Sequence, residues 1–139
     1  MQQYTAANWP GGRWPNFSFF ECRCKETGEC WLEPDFMDAL QAMRTELGGP
    51  LNMTSVYRAP THSTERDKPN GPGVHPRGCA GDIRCSGEEA NRILGLSYKH
   101  GIRGRGVEQG NNKPHSERFL HLDTYVGDGL RPRPTLWTY

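Results

Sequence analysis

The chain has 139 residues, a formal net charge of +1, 34% hydrophobic residues, 17 glycines and 11 prolines. That length suits a single domain over residues 1–139 with a modest core rich in turns and loops. The near-zero charge argues against nucleic acid as a partner, and the lack of a long apolar run argues against membrane insertion.

Residues 1–20 hold Trp9, Trp14, Phe17, Phe19 and Phe20, and are expected to form an extended arm docked by its aromatics. The segment has no basic, apolar and small-residue order of a secretory signal. Synthesis in the cytoplasm is therefore expected, with delivery to any outside substrate by another route. Cys22, Cys24 and Cys30 cluster in ECRCKETGEC. They read either as reduced thiols near a turn or as a thiolate metal site lacking an obvious fourth ligand.

A helix is predicted over 34–47, with Pro34 early and Phe36, Leu40, Met43 and Leu47 at helical spacing. Gly48-Gly49-Pro50 ends it, and 51–57 suits a strand. Residues 58–74 are polar, with three prolines and two glycines. A loop of that length in a small domain is usually functional. A strand follows over 79–85, where Cys79 and Cys85 share a face as packing residues, too far apart to bond. Ser86 and Glu89 make a capping box for a second helix to about residue 100, with Ala90, Ile93, Leu94 and Tyr98 as its core stripe. Strands near 103–108 and 117–125 flank a polar loop, and the tail suggests an edge segment. The order implies α+β, a small antiparallel sheet with helices on one face, which leaves the other face free for a cleft.

The cleft is inferred from alternation. Glu117, Phe119, His121 and Asp123 share one strand face and Leu120 and Leu122 the other. Asp82 likewise opposes Ile83. The leucines and Ile83 can pack under the helices while Asp82 and His121 face away. His75 lies in a Gly/Pro loop that can bend back toward Asp82, with Gly78, Ala80 and Gly81 removing bulk. Two imidazoles and one carboxylate are a catalytic zinc ligand set with an open fourth position. On spacing alone, they also read as a surface histidine, a strand Asp and an unrelated histidine. Arg58 follows a strand and could hold a carboxylate in a fork, or be an ordinary surface arginine. His62 in the same loop could be a ligand, a substrate contact or neither, and is not expected to be a ligand because the trio is already complete.

The segments TSVYRAPTH, GVHPRGCAGD and RFLHLDTY occur in this order. Together they resemble the zinc D-alanyl-D-alanine carboxypeptidase family. Its wider group takes in L-alanyl-D-glutamate endopeptidases of phage endolysins and the zinc fold of hedgehog domains. Ser55, Tyr57 and Arg58 match its S-x-Y-R element; His75, Gly78, Ala80 and Asp82 its H-x-x-G-x-A-x-D; His121 and Asp123 its H-x-D. The resemblance covers about residues 34–125. It implies Zn2+ on His75, Asp82 and His121, with Arg58 holding a carboxylate or carbonyl of the peptide. It implies hydrolysis of D-amino-acid-containing bonds of peptidoglycan, with the stem peptide as partner, and other virion proteins too if the enzyme is a phage lytic one. Many members place Glu or Asp three residues before the last ligand; here that slot is Arg118, which cannot act as a base. Glu117 is the first alternative and His115 the second. The rival reading is a non-catalytic wall-binding or structural virion module of the same fold.

Overall fold

The computed structural model describes residues 1–139. The arm is anchored by β1 (Gln2–Gln3), antiparallel to β2 (Trp31–Leu32), and by edge-to-face contacts among Tyr4, Trp9 and Trp14 at 5.4–5.7 Å. Trp14 is fully buried and its indole N–H donates to Asp38 Oδ1 at 2.8 Å. Buried tryptophan that satisfies its N–H holds an extended segment without regular structure. One turn, α1 (Phe19–Cys22), follows, capped by the Ser18 hydroxyl.

The helix α2 runs Pro34–Leu47, as its spacing predicts, and closes on Gly48 in the left-handed region (φ 71°). Phe36, Met37, Leu40 and Met43 are fully buried, each contributing about 1.5–3 kcal/mol by leaving water. The strand β3 is shorter than its apolar run suggests, Met53–Ser55. The long loop contains a turn of helix, α3 (Ser63–Arg66), which His62 caps through Nδ1. A 3-10 turn, His75–Arg77, leads through Gly78 (φ 68°) into β4 (Ala80–Arg84). Gly78 passes so close to the chain at Trp31 that a Cβ there would lie 2.5 Å from its carbonyl oxygen.

Helix α4 spans Gly87–Lys99 with Ser86 as N-cap. The predicted capping box does not close: Ser86 has no side-chain cap bond, and its hydroxyl lies 3.0 Å from His115 Nδ1 instead. Nor does Tyr98 enter the core. It is exposed, with the Arg105 guanidinium 3.7 Å over its ring, while Ser97 is buried and accepts from Arg105 Nε at 2.7 Å. Strands β5 (Gly104–Glu108), β6 (Phe119–Asp123) and β7 (Thr135–Thr138) complete a sheet of order β3-β4-β6-β5-β7. The first three pairings are antiparallel, but β7 joins β5 in parallel. The fold is α+β, and its larger sheet is mixed because the tail returns alongside β5.

Ile83, Leu120 and Leu122 are buried in one core with α2 and α4. Cys22, Cys24, Cys30, Cys79 and Cys85 are unbonded and belong to that core. Burial pushes the Cys22 thiol up and the Cys30 thiol to about 12, the opposite of what a metal-binding thiolate needs. At Cys24 burial is outweighed by hydrogen bonds from Thr27 and nearby backbone, and the thiol is lowered.

Candidate metal centre

Cross-strand register builds the site. Ser55 pairs with Asp82, Asp82 with His121, His121 with Gly106 and Gly106 with Trp137. These five residues form one row across the sheet, on the face away from the helices. A parallel row carries Ala80, Asp123, Gly104 and Thr135. Because side chains alternate strictly along a strand, burying Leu120, Leu122 and Ile83 on one face forces His121, Asp123 and Asp82 onto the other.

His75 arrives from the 3-10 turn to meet this row. Its Nε2 lies 3.3 Å from Asp82 Oδ1, and His121 Nδ1 lies 2.9 Å from the same oxygen. Ligand atoms about 2.0–2.2 Å from a tetrahedral zinc stand roughly 3.3–3.6 Å apart, so the trio is nearly spaced for one ion. All three ligand atoms lie within 4.8 Å of one another, and no other group of three or more His, Cys, Asp and Glu side chains meets that condition.

The outer ring nitrogens are also held. His75 Nδ1 donates to the Val56 carbonyl at 2.6 Å, leaving Nε2 to face Asp82. His121 Nε2 meets Asp123 Oδ2 at 3.2 Å, which leaves Nδ1 for the cluster. Such partners orient ligating histidines and fix their tautomers. Asp123 is fully buried and chelated by Arg133, through Nε at 2.9 Å and Nη2 at 2.7 Å. Gly104 makes this possible, since a Cβ there would lie 2.2 Å from Asp123 Oδ2.

Charge at the cluster follows from these contacts. Burial pulls the His75 imidazole down, against Asp82, which favours the neutral ligand form. Burial also opposes charge on His121, but hydrogen bonds to Asp123 and Asp82 outweigh it and raise the group. For Asp82, burial is outweighed by hydrogen bonds from His121 and His75, and the carboxyl stays ionised far below its usual range.

Arg58 reaches the cluster. It donates from Nε to Ser55 Oγ at 2.8 Å, from Nη1 to Glu65 Oε1 at 3.3 Å and from Nη2 to Asp82 Oδ2. Three of the guanidinium's five N–H groups are thus engaged, leaving two for a ligand. Glu65 is fully buried and also binds Lys68 Nζ at 2.7 Å and the Gly73 N–H at 2.8 Å.

A cavity of about 510 Å3 opens over the trio, lined also by Arg58, Lys68, Arg133, Trp137 and Tyr139. Its floor is the sheet face, and the tail supplies a wall. His121 is only 5% exposed, so the face is more covered than alternation alone suggests. Glu117 and His115 are not brought here. Both lie in a 3-10 turn, His115–Glu117, with exposed side chains, and neither lines the cavity. The strand starts only at Phe119, which removes Glu117 from the alternation that would have aimed it at the ligands.

Ser55 was named only within the S-x-Y-R match, and Glu65, Arg133, Trp137 and Tyr139 were not singled out from the sequence. A signal existed for the last three: Arg133, Thr135, Trp137 and Tyr139 recur at period two, and all four line the cavity. Trp137 lies over Gly106, where a Cβ would come within 2.7 Å of the indole, and its ring is 5.4 Å from that of His121.

An open set of two histidines and one aspartate, with an arginine beside it, defines a metal-dependent hydrolase centre. The Peptidase M15 family profile matches residues 15–123, and the chain belongs to this family of zinc-dependent metallopeptidases. No curated protein and no solved structure matched the chain.

Proposed function

We propose that the protein is a peptidoglycan hydrolase that cuts a peptide bond next to a D-amino acid in the wall stem peptide. The observation that carries this reading is Arg58, held by Ser55, Glu65 and Asp82 beside the ligand trio and keeping two N–H groups for an anionic peptide. His75, Asp82 and His121 would hold the zinc. When bound, the metal supplies Lewis acidity toward a carbonyl and lowers the pKa of water. Asp123 and Val56 keep both imidazoles in the ligating tautomer. Arg58 orients the substrate by its carboxylate or carbonyl, and Trp137 and Tyr139 wall the cavity on one side. The cellular setting proposed is a lytic enzyme of phage origin or a bacterial enzyme acting on the wall, with virion proteins as partners in the first case.

A second reading, a wall-binding or structural module without turnover, is favoured by one observation: Glu117 and His115 both lie outside the cavity. Digestion of defined muropeptides by the zinc-loaded protein, followed by mass spectrometry of new peptide ends, separates the two. Cleavage beside a D-residue is expected. Intact muropeptides across several wall types would favour the binding module. If cleavage occurs, a Glu117→Gln, His115→Ala double variant is expected to keep turnover within a few-fold. A loss of orders of magnitude would give this turn the role of base.

A further inference from the structure

The polar side chains around the cavity differ in how far the protein already occupies them. Lys68 is held by Glu65, and Arg133 by Asp123 and the Pro132 carbonyl. Arg131 donates to Asp128 and to the carbonyls of Asn70 and Pro72. Arg58 has three protein acceptors. Tyr139 lines the same cavity, and its hydroxyl donates to no acceptor of the protein.

The tyrosine is nonetheless well positioned. The parallel pairing of Thr138 with Val107 fixes the end of β7 against β5. The Tyr139 ring packs on Phe119 at 5.1 Å and on Trp137 at 6.4 Å, and Trp137 packs in turn on His121. Phe119, His121 and Asp123 share the site face of β6, and Tyr139, Trp137 and Arg133 lie over them in the same order. This places a phenol on the same wall as the indole beside the ligand histidine.

We propose that Tyr139 is a catalytic residue, its hydroxyl donating a hydrogen bond to the oxyanion that develops on the scissile carbonyl. The proposal rests on the peptidase reading above. In the reaction, water adds to the carbonyl carbon and the C=O π pair moves onto oxygen. As that pair returns, the C–N bond breaks, and the proton lost by water ends on the amine nitrogen. One water is consumed, and no oxidant or other reactant is needed. Charge on the oxygen is transient, so a donor aimed there acts more strongly in the transition state than in the ground state. Electrostatics at the phenol agree. Packing against Phe119 and Trp137 raises the group although the residue as a whole is 62% exposed, the Trp137 side chain lowers it, Asp82 raises it and Arg58 lowers it. The net direction is upward, so the hydroxyl keeps the proton it must donate. The charges of Asp82 and Arg58 reach it across the cavity.

The test uses the full chain loaded with zinc, as wild type and as Tyr139→Phe, which removes only the hydroxyl. Four quantities are measured: zinc stoichiometry, kcat and KM on a D-Ala-D-Ala-ended muropeptide, affinity for a phosphinate analogue of alanyl-alanine, and affinity for free D-alanine. The phosphinate oxygens stand in for the tetrahedral intermediate. The expected result is unchanged zinc content, KM within about two-fold, and kcat and phosphinate affinity both lower by about 100-fold, the scale of losing one oxyanion donor. A packing role alone would not weaken phosphinate selectively over free D-alanine. Unchanged kcat and phosphinate affinity in Tyr139→Phe overturn the proposal. Should the wild type leave wall peptides intact yet bind phosphinate in a Tyr139-dependent way, the hydroxyl's role stands and the wall substrate falls.

Discussion

Glu65 is fully buried and meets two cations and a backbone N–H. Burial would raise its carboxyl, but Lys68, the Gly73 N–H and Arg58 outweigh it and the group is lowered. A lowered carboxyl adds stability above its unfolded value, about 4.5, and loses it as pH falls through the folded value. Glu65→Gln leaves Arg58 and Lys68 without their shared anion, at a cost of about 2–3 kcal/mol near neutral pH. Denaturant melts of both proteins across pH should show that gap shrinking as the solution is acidified below about 4.5. A gap constant down to pH 2 would contradict the ion-pair account. Of this chain of charges, only Arg58 and Asp82 were legible as sequence. Nothing in THSTERDKPNG distinguishes Glu65 from a solvated glutamate until α3 turns it inward.

At the scale of elements, β7 decides the shape of the cleft. Its position depends on the trough left by Gly104 and Gly106 on the site face of β5. Residues with side chains there would collide with Arg133 and Trp137. Gly106→Ala is expected to fold but to displace the Trp137 indole, costing about 1–3 kcal/mol as overpacking does. The measurements are denaturation and tryptophan fluorescence, which should report a more exposed indole. A variant as stable as wild type, with unaltered emission, would show that the strand adapts more freely than the contact implies. The tail was legible only as an edge segment. Its alternation marks a strand, but which strand it joins, and in which direction, depends on a connection over residues 124–134 that carries no pairing code of its own.

At the scale of the molecule, metal and fold are linked. The trio is drawn from a loop turn and two strands far apart in the chain, and exists only when the sheet is formed. Zinc binding the folded state alone adds about 2.7 kcal/mol at a hundred times its Kd, roughly a 10 °C rise in Tm for a chain of this size. Thermal melts with zinc and with chelator should show that increment, and His121→Ala should lose both the increment and the bound metal. An equal zinc-dependent rise in His121→Ala would place the metal elsewhere. The thiol cluster is the natural competitor, but its sulfurs lie in the apolar core.

The sequence by itself determined the two long helices and the strand face that Asp82 and His121 occupy. These depend on local periodicity and capping: helical spacing in α2, Gly48 at its end, and leucines alternating with His121 and Asp123. It also carried the family, through three short motifs in order. Tertiary structure alone decided which residues complete the site. Register across five strands sets Ser55, Gly106 and Trp137 beside Asp82 and His121, and a strand beginning at Phe119 leaves Glu117 outside. Such placements arise from pairing between distant segments, whereas periodicity reports only the face a residue takes within its own strand.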